Sequence, residues 1–176
     1  GGHSEDVATL SRLLAEKMNL SKSEIYDIYW AGIVHDIGKI GIKSEIINKA
    51  SRLTLEEYKQ VQQHSMYGYE VLNRSSELAT IAKLVKHHHE WYNGSGYPDK
   101  LKDKEIPIGS QILQVADSVS SMATRRSYQN EKSFDKIITE LEMYKGTQFN
   151  PIICDHMIDL IKSGIIENYF HYKKKI

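Results

Sequence analysis

Ser21-Lys22-Ser23-Glu24 and Thr54-Leu55-Glu56-Glu57 each place a hydroxyl three residues ahead of a glutamate. In that pattern the hydroxyl accepts from a backbone N–H in the first helical turn and the glutamate reaches back to the cap residue's N–H, so both mark helix starts. The apolar residues around them recur at helical spacing. Val7, Leu10, Leu13, Leu14 and Met18 predict an amphipathic first helix after Ser4. Ile25, Ile28, Tyr29, Gly32 and Ile33 carry a second helix from Ser21 to His35-Asp36, and Gly38 is expected to end it. Residues 44–49 read as a short helical turn, 54–64 as a helix ending near His64, and 66–73, 78–89 and 108–122 as three more. Ser133 is expected to cap a helix through Tyr144, and Pro151 to open a last long one. Residues 93–107 hold two Gly and two Pro and read as a loop. Alternating β-branched runs are scarce. The expected fold is all-α, a compact single-domain helical bundle over residues 1–176 with one structured loop.

Lys plus Arg equals Asp plus Glu at 23 each, so no net charge directs the chain to a nucleic-acid polymer or a membrane surface. A phosphate ligand is still compatible with neutrality, because a bound cation brings its own charge. No apolar run approaches the roughly 20 residues that span a bilayer. The lone Cys154 has no internal disulfide partner and reads as a small buried hydrophobe, which fits a reducing compartment. Gly1-Gly2 reads as an abrupt start, consistent with a domain cut from something longer. Lys173-Lys174-Lys175 reads as a solvated tail.

Metal-type ligands are denser than packing explains. His35-Asp36, a His87-His88-His89 triplet, His64 and an Asp117 set in an apolar stretch supply nitrogen and carboxylate donors without cysteine. That donor set suits a hydrolytic centre for a divalent transition metal better than a structural zinc knot. Asp36 is the natural bridging ligand, since a carboxylate offers one oxygen to each of two cations. Asp117 on an apolar helix needs a metal, a cation or several hydrogen bonds. Three consecutive histidines on a helix cannot all point one way, so two are expected to flank the metals while the third faces solvent. His3 is a further candidate donor, whereas His156 and His171 read as surface residues. Lys39 either complements a helix C-terminus or reaches a phosphate oxygen. In Asn93-Gly94-Ser95-Gly96-Tyr97-Pro98 the glycines permit close backbone approach, and Tyr97 offers a ring and a hydroxyl.

Taken together, these residues resemble the HD-GYP family, a branch of the HD-domain metal-dependent phosphohydrolases. The HDxGK element is His35-Asp36-Ile37-Gly38-Lys39, and the HHExxxGxGYP element is His88-His89-Glu90 followed by 93–98. Asp117 matches the downstream ligand, Arg126-Ser127-Tyr128 the RxY element, and Gly146 to Pro151 the GTxFDP element, with Asn150 in place of Asp. The resemblance implies a compact helical fold and a bacterial, cytoplasmic phosphodiesterase that opens cyclic di-GMP to pGpG, and onward to GMP, by a metal-bridging hydroxide. It implies His35, Asp36, His64, His88, His89 and Asp117 as ligands, with His3 matching the earliest ligand histidine. Lys39, Tyr97, Arg126 and Tyr128 would contact substrate, and Asp36 and Lys39 would carry the catalysis. Two metal ions are expected rather than three, since the glutamate that completes a third site lies before the start of this chain. Iron or manganese is favoured, and zinc and nickel share the ligands. A sensor domain in the full protein and a diguanylate-cyclase or homodimer partner are compatible with the resemblance. Three further positions depart from it. Ser120 and Gln129 stand where an Asp and a basic residue are common, at the expected guanine and phosphate contacts, and Asp6 replaces a first-helix Arg. Those departures motivate two other readings: a catalytically weak cyclic-dinucleotide receptor or partner-docking module, or a phosphodiesterase for another cyclic dinucleotide such as cyclic GMP-AMP.

Overall fold

The structure, a computed structural model, describes residues 2–125 and 131–175. Helices follow one another throughout: α1 (His3–Lys17), α2 (Lys22–Val34), α3 (Ser44–Ile47), α4 (Leu55–Gln62), α5 (His64–Leu72), α6 (Ala79–Lys86), α7 (Ile108–Arg125), α8 (Glu131–Tyr144), α9 (Pro151–Lys162) and α10 (Ile165–Lys173). Among the described residues there is no strand, and the all-α expectation holds. Both capping boxes form. Ser21 Oγ accepts from the Glu24 N–H at 3.1 Å and Thr54 Oγ1 from the Glu57 N–H at 3.1 Å, with both glutamates reaching back.

α7 is the central helix. Ile112, Leu113, Val115, Ala116 and Val119 are buried in succession, because α1, α2, α6, α8 and α9 cover it from several sides. Leu10 and Leu14 of α1, Ile137 and Leu141 of α8 and Ile153 and Met157 of α9 complete the core. Each such side chain contributes about 1.5–3 kcal/mol of burial. This core holds the middle of α7 rigidly, and Asp117 lies on that segment. Cys154 is buried among these groups, and desolvation pushes its thiol up to about 12, as a structural cysteine requires.

Several local expectations need correction. Gly38 does not stop α2 by a left-handed turn; α2 ends at Val34, and Gly38 lies within a 3₁₀ segment, Ile37–Gly41. Its role is close approach: a Cβ there would lie 1.8 Å from the His64 carbonyl oxygen and 2.6 Å from the Gly68 nitrogen. The last helix is two helices, because Gly164 adopts φ +85° and turns α9 into α10. α8 is described from Glu131, so Ser133 lies within the helix and does not cap it. Lys173 is not a solvated tail residue. Its ammonium donates to both Asp6 oxygens at 2.5 and 2.6 Å, and the Tyr169 hydroxyl donates to the same carboxylate at 2.7 Å. Asp6 is fully buried, so it needs these partners, which tie α10 to α1.

Candidate metal centre

His35, His64 and His88 are built alike. Each Nδ1 donates to the carbonyl three residues earlier, Gly32 at 2.7 Å, Val61 at 2.7 Å and Val85 at 2.5 Å. A carbonyl only accepts, so each Nδ1 carries a proton, which in the neutral ring leaves the lone pair on Nε2. At His35 burial opposes the charged form, but the neighbouring Asp117 and Asp36 outweigh it and raise the ring's pKa. The three residues are 1%, 3% and 0% exposed, and none of the three Nε2 atoms has a hydrogen-bond partner. Leaving a buried acceptor unpaired costs about 1–3 kcal/mol, and here three converge. Their ring centroids are 5.4 Å (His35 to His88) and 5.5 Å (His64 to His88) apart. The local cause is positional: His35 and His88 follow the ends of α2 and α6, where the free carbonyls of the last turn accept from Nδ1.

Two sets of donors flank Asp36, each with atoms within 4.8 Å of one another: His64, His88 and His89, and His3, His35 and Asp117; a third such set, His87, Glu90 and Asp99, forms where the 91–107 loop is anchored. Asp36 lies close enough to feel His35 and Asp117 from one set and His88 from the other. Its Oδ2 is 3.3 Å from His35 Nε2 and 3.2 Å from Lys39 Nζ. Burial alone would raise its carboxyl, but His35 and Lys39 hold it below the usual range. Asp117 is pushed well below that range: burial opposes its charge, and contacts with His3 and His35 outweigh burial. Burial and the neighbouring His35 and His64 lower His88 to about 4, and burial also lowers His64 and His89, so these three rings are neutral at pH 7 with lone pairs available. These are the protonation states in which imidazole and carboxylate ligate a cation, and the chain's donor chemistry fits a divalent transition metal.

His3 is the first residue of α1 and spans the gap to α7. Its Nε2 is 2.7 Å from Asp117 Oδ1 and its Nδ1 is 2.9 Å from Ser120 Oγ. Ser120 is fully buried, so it cannot contact guanine as its position in the resemblance suggested; it holds a histidine instead. Nothing local in the sequence signals this, because the partners are separated by 117 residues. Removing such an orienting hydrogen bond typically costs 10–100-fold in metal affinity. Ser120→Ala is therefore expected to weaken metal retention against a chelator by about tenfold while leaving the fold intact.

The triplet also differs from expectation. α6 ends at Lys86, so the histidines occupy a turn, and His87 is buried rather than facing solvent. His87 Nδ1 is 2.9 Å from Glu90 Oε2. Glu90, 1% exposed, also accepts from the Asp99 N–H at 3.0 Å and the Leu101 N–H at 3.1 Å. With both oxygens engaged, Glu90 is the anchor of the 91–107 loop, a role that sequence reasoning did not assign. The same loop is pinned from outside, where the Tyr92 and Asn93 N–H groups donate to the Gln148 and Thr147 carbonyls at 3.0 and 2.9 Å. Tyr97 is thereby stacked on His89, centroids 5.0 Å apart and planes at 20°, and burial pushes its phenol up. The Lys39 side chain is 47% exposed at the rim. Asn150 replaces the motif's Asp without loss of the cap: its Oδ1 accepts from the Ile152 N–H at 2.9 Å. His171 pairs with Glu167 at 3.5 Å, and both it and His156 lie outside the two donor sets. Arg126, Tyr128 and Gln129 fall outside the described residues.

No helix among the described residues is long and apolar enough to cross a membrane. The HD domain family matches residues 1–153. A cyclic di-GMP phosphodiesterase of Thermotoga maritima is 40% identical over 162 residues, covering 91% of this chain and 44% of that protein. A 3′3′-cGAMP-specific phosphodiesterase 2 of Vibrio cholerae is 35% identical over 161 residues, 90% of this chain and 31% of that protein. In fold, the chain is similar to the crystal structure of a cyclic GMP-AMP specific phosphodiesterase of V. cholerae. The TM-score is 0.71 at 18% identity, over 93% of this chain and 44% of the other. The chain thus spans less than half the length of these relatives. With the HDxGK and HHE–GYP elements converging on one cluster of donors, the chain belongs to the HD domain family, in its HD-GYP branch.

Proposed function

We propose that this domain hydrolyses a 3′,5′-cyclic dinucleotide, cyclic di-GMP, at a centre of two divalent cations. The observation that carries the reading is the convergence of three buried, partnerless Nε2 atoms beside Asp36 and Asp117. One ion is assigned to His3, His35 and Asp117, the other to His64, His88 and His89, with Asp36 between them. Iron or manganese suits these donors best, zinc and nickel can use them, and no third ion is assigned. The His87, Glu90 and Asp99 group does not supply one, because Glu90 is occupied by the loop. Bound cations would neutralise phosphate charge and make a water a nucleophile near neutral pH.

The chain's own contribution is orientation and charge. Hydrolysis breaks one P–O3′ bond, water supplying the hydroxyl to phosphorus and a proton to the departing 3′ oxygen, which leaves a 5′-phosphate on pGpG. Lys39 is placed to stabilise negative charge on the phosphoryl oxygens, and Tyr97, fixed on His89, borders the substrate's path. Lys39→Ala is expected to keep its metal and lose about 10–100-fold in kcat, less than a buried donor because Lys39 is half-exposed; elemental analysis and steady-state rates check both halves. A second reading, hydrolysis of 3′3′-cyclic GMP-AMP, is favoured by the 35% identical relative with that specificity.

The test is anaerobic turnover of cyclic di-GMP by protein reconstituted with ferrous iron or manganese, products being separated by chromatography. Appearance of pGpG or GMP is the expected result. No product from either cyclic dinucleotide at full metal loading would overturn the enzymatic reading in favour of a receptor.

A further inference from the structure

Asp117 faces two places. One is the donor cluster; the other is a cavity of about 450 Å³ between α7 and α8, closed at one end by the 145–149 turn. That volume is within the range of small-molecule sites. Asp117 and Ser118 line it from α7, Glu140 and Tyr144 from α8, and Gln148 from the turn, with Met122 and Phe149 supplying apolar wall. Among the described lining residues two are carboxylates and none is Lys or Arg, so these walls offer acceptors to a ligand's hydrogen-bond donors. What it favours is a flat, neutral group that presents hydrogen-bond donors.

Glu140 is half-buried. Among the described residues its carboxylate, the Gln148 amide and the Ser118 hydroxyl have no hydrogen-bond or ion-pair partner. Guanine presents adjacent donors, N1–H and the exocyclic N2–H, which match the two oxygens of one carboxylate, and an O6 acceptor that suits the Gln148 amide. Adenine presents an N1 lone pair to the same carboxylate and a single neighbouring donor, so it is repelled on one side. We propose that this cavity is the guanine subsite of the phosphodiesterase and that Glu140 sets its base selectivity. The inference rests on the cyclic-dinucleotide reading above, and the shared Asp117 wall is what places a base here when a phosphate is at the donors.

The test compares wild type with Glu140→Gln on cyclic di-GMP, cyclic di-AMP and bis(p-nitrophenyl) phosphate, a diester without a base. Loss of one charged hydrogen-bonding pattern predicts a fall of about 10–100-fold in kcat/KM for cyclic di-GMP, carried mainly by KM. Hydrolysis of the base-free diester should be unchanged, and the preference over cyclic di-AMP should shrink by the same factor. An unchanged guanine preference, or an equal loss on all three substrates, would overturn the subsite. If wild type cleaves only the base-free diester, the cyclic-dinucleotide reading itself fails. Titration with GMP and AMP then decides the subsite separately: equal affinity, or no effect of Glu140→Gln on GMP, refutes it, whereas selective loss of GMP binding upholds it.

Discussion

Asp36→Ala is expected to remove bound metal and hydrolysis together. Asp36 interacts with members of both donor sets, and it shares the centre with Asp117 among the imidazole donors. Without it, two cations would face one remaining carboxylate and would repel each other with less compensation. Metal assistance in such sites is worth several kcal/mol, and at 1.36 kcal/mol per decade the rate should fall by about 10³ or more. Metal content by plasma spectrometry should drop in parallel. The fold should survive, since the Asp36 carboxylate is part-exposed and its one hydrogen bond is to Lys39. Metal-free mutant and wild type should both unfold cooperatively, the mutant being less stable by about 0.5–3 kcal/mol, the ordinary range for a point substitution. Retained metal with retained turnover would take Asp36 out of the centre.

Gly38→Ala is expected to give the largest loss of stability. The added Cβ would meet the His64 carbonyl oxygen at 1.8 Å and the Gly68 nitrogen at 2.6 Å, in the first turn of α5. Both are backbone atoms, so no rotamer change relieves the contact. The 3₁₀ segment and α5 must separate, and α5 carries His64. Overpacking costs typically 1–3 kcal/mol, and a backbone clash this deep belongs at or above the upper end, about 3 kcal/mol or more. For a chain of this size that lowers the thermal midpoint by about 6–12 °C. Metal affinity should fall with it because His64 is displaced from His88 and His89. Circular dichroism of the metal-free protein measures the first effect, and an unchanged midpoint would show that the segment does not press on α5.

Glycine at position 38 also separates what was legible from what was not. Its presence in HDxGK was plain, but the sequence reading made it a helix stop, a local explanation. The actual reason is a contact with α5, 26 or more residues away along the chain, and no periodicity reports that. The triplet followed the same pattern. Two of its three members, His88 and His89, share a donor set with His64, while the expectation that the third faces solvent rested on a helix running through all three. Once α6 stops at Lys86, the turn can aim His87 inward to Glu90.

By itself the sequence determined the helices, through apolar spacing, two capping boxes and Pro151 at a helix start, because these act within a few residues. It also determined which side chains carry ligand chemistry, since lone pairs and carboxylates belong to residue types. Only the tertiary structure decided which of them meet. His3 reaches Asp117 across 114 residues and Ser120 across 117, and Lys173 reaches Asp6 across 167. The α7–α8 cavity exists only once Asp117 and Glu140 are packed on facing helices. Such pairings are selected by the burial of whole helix faces around α7, a collective term that no short segment of the chain contains.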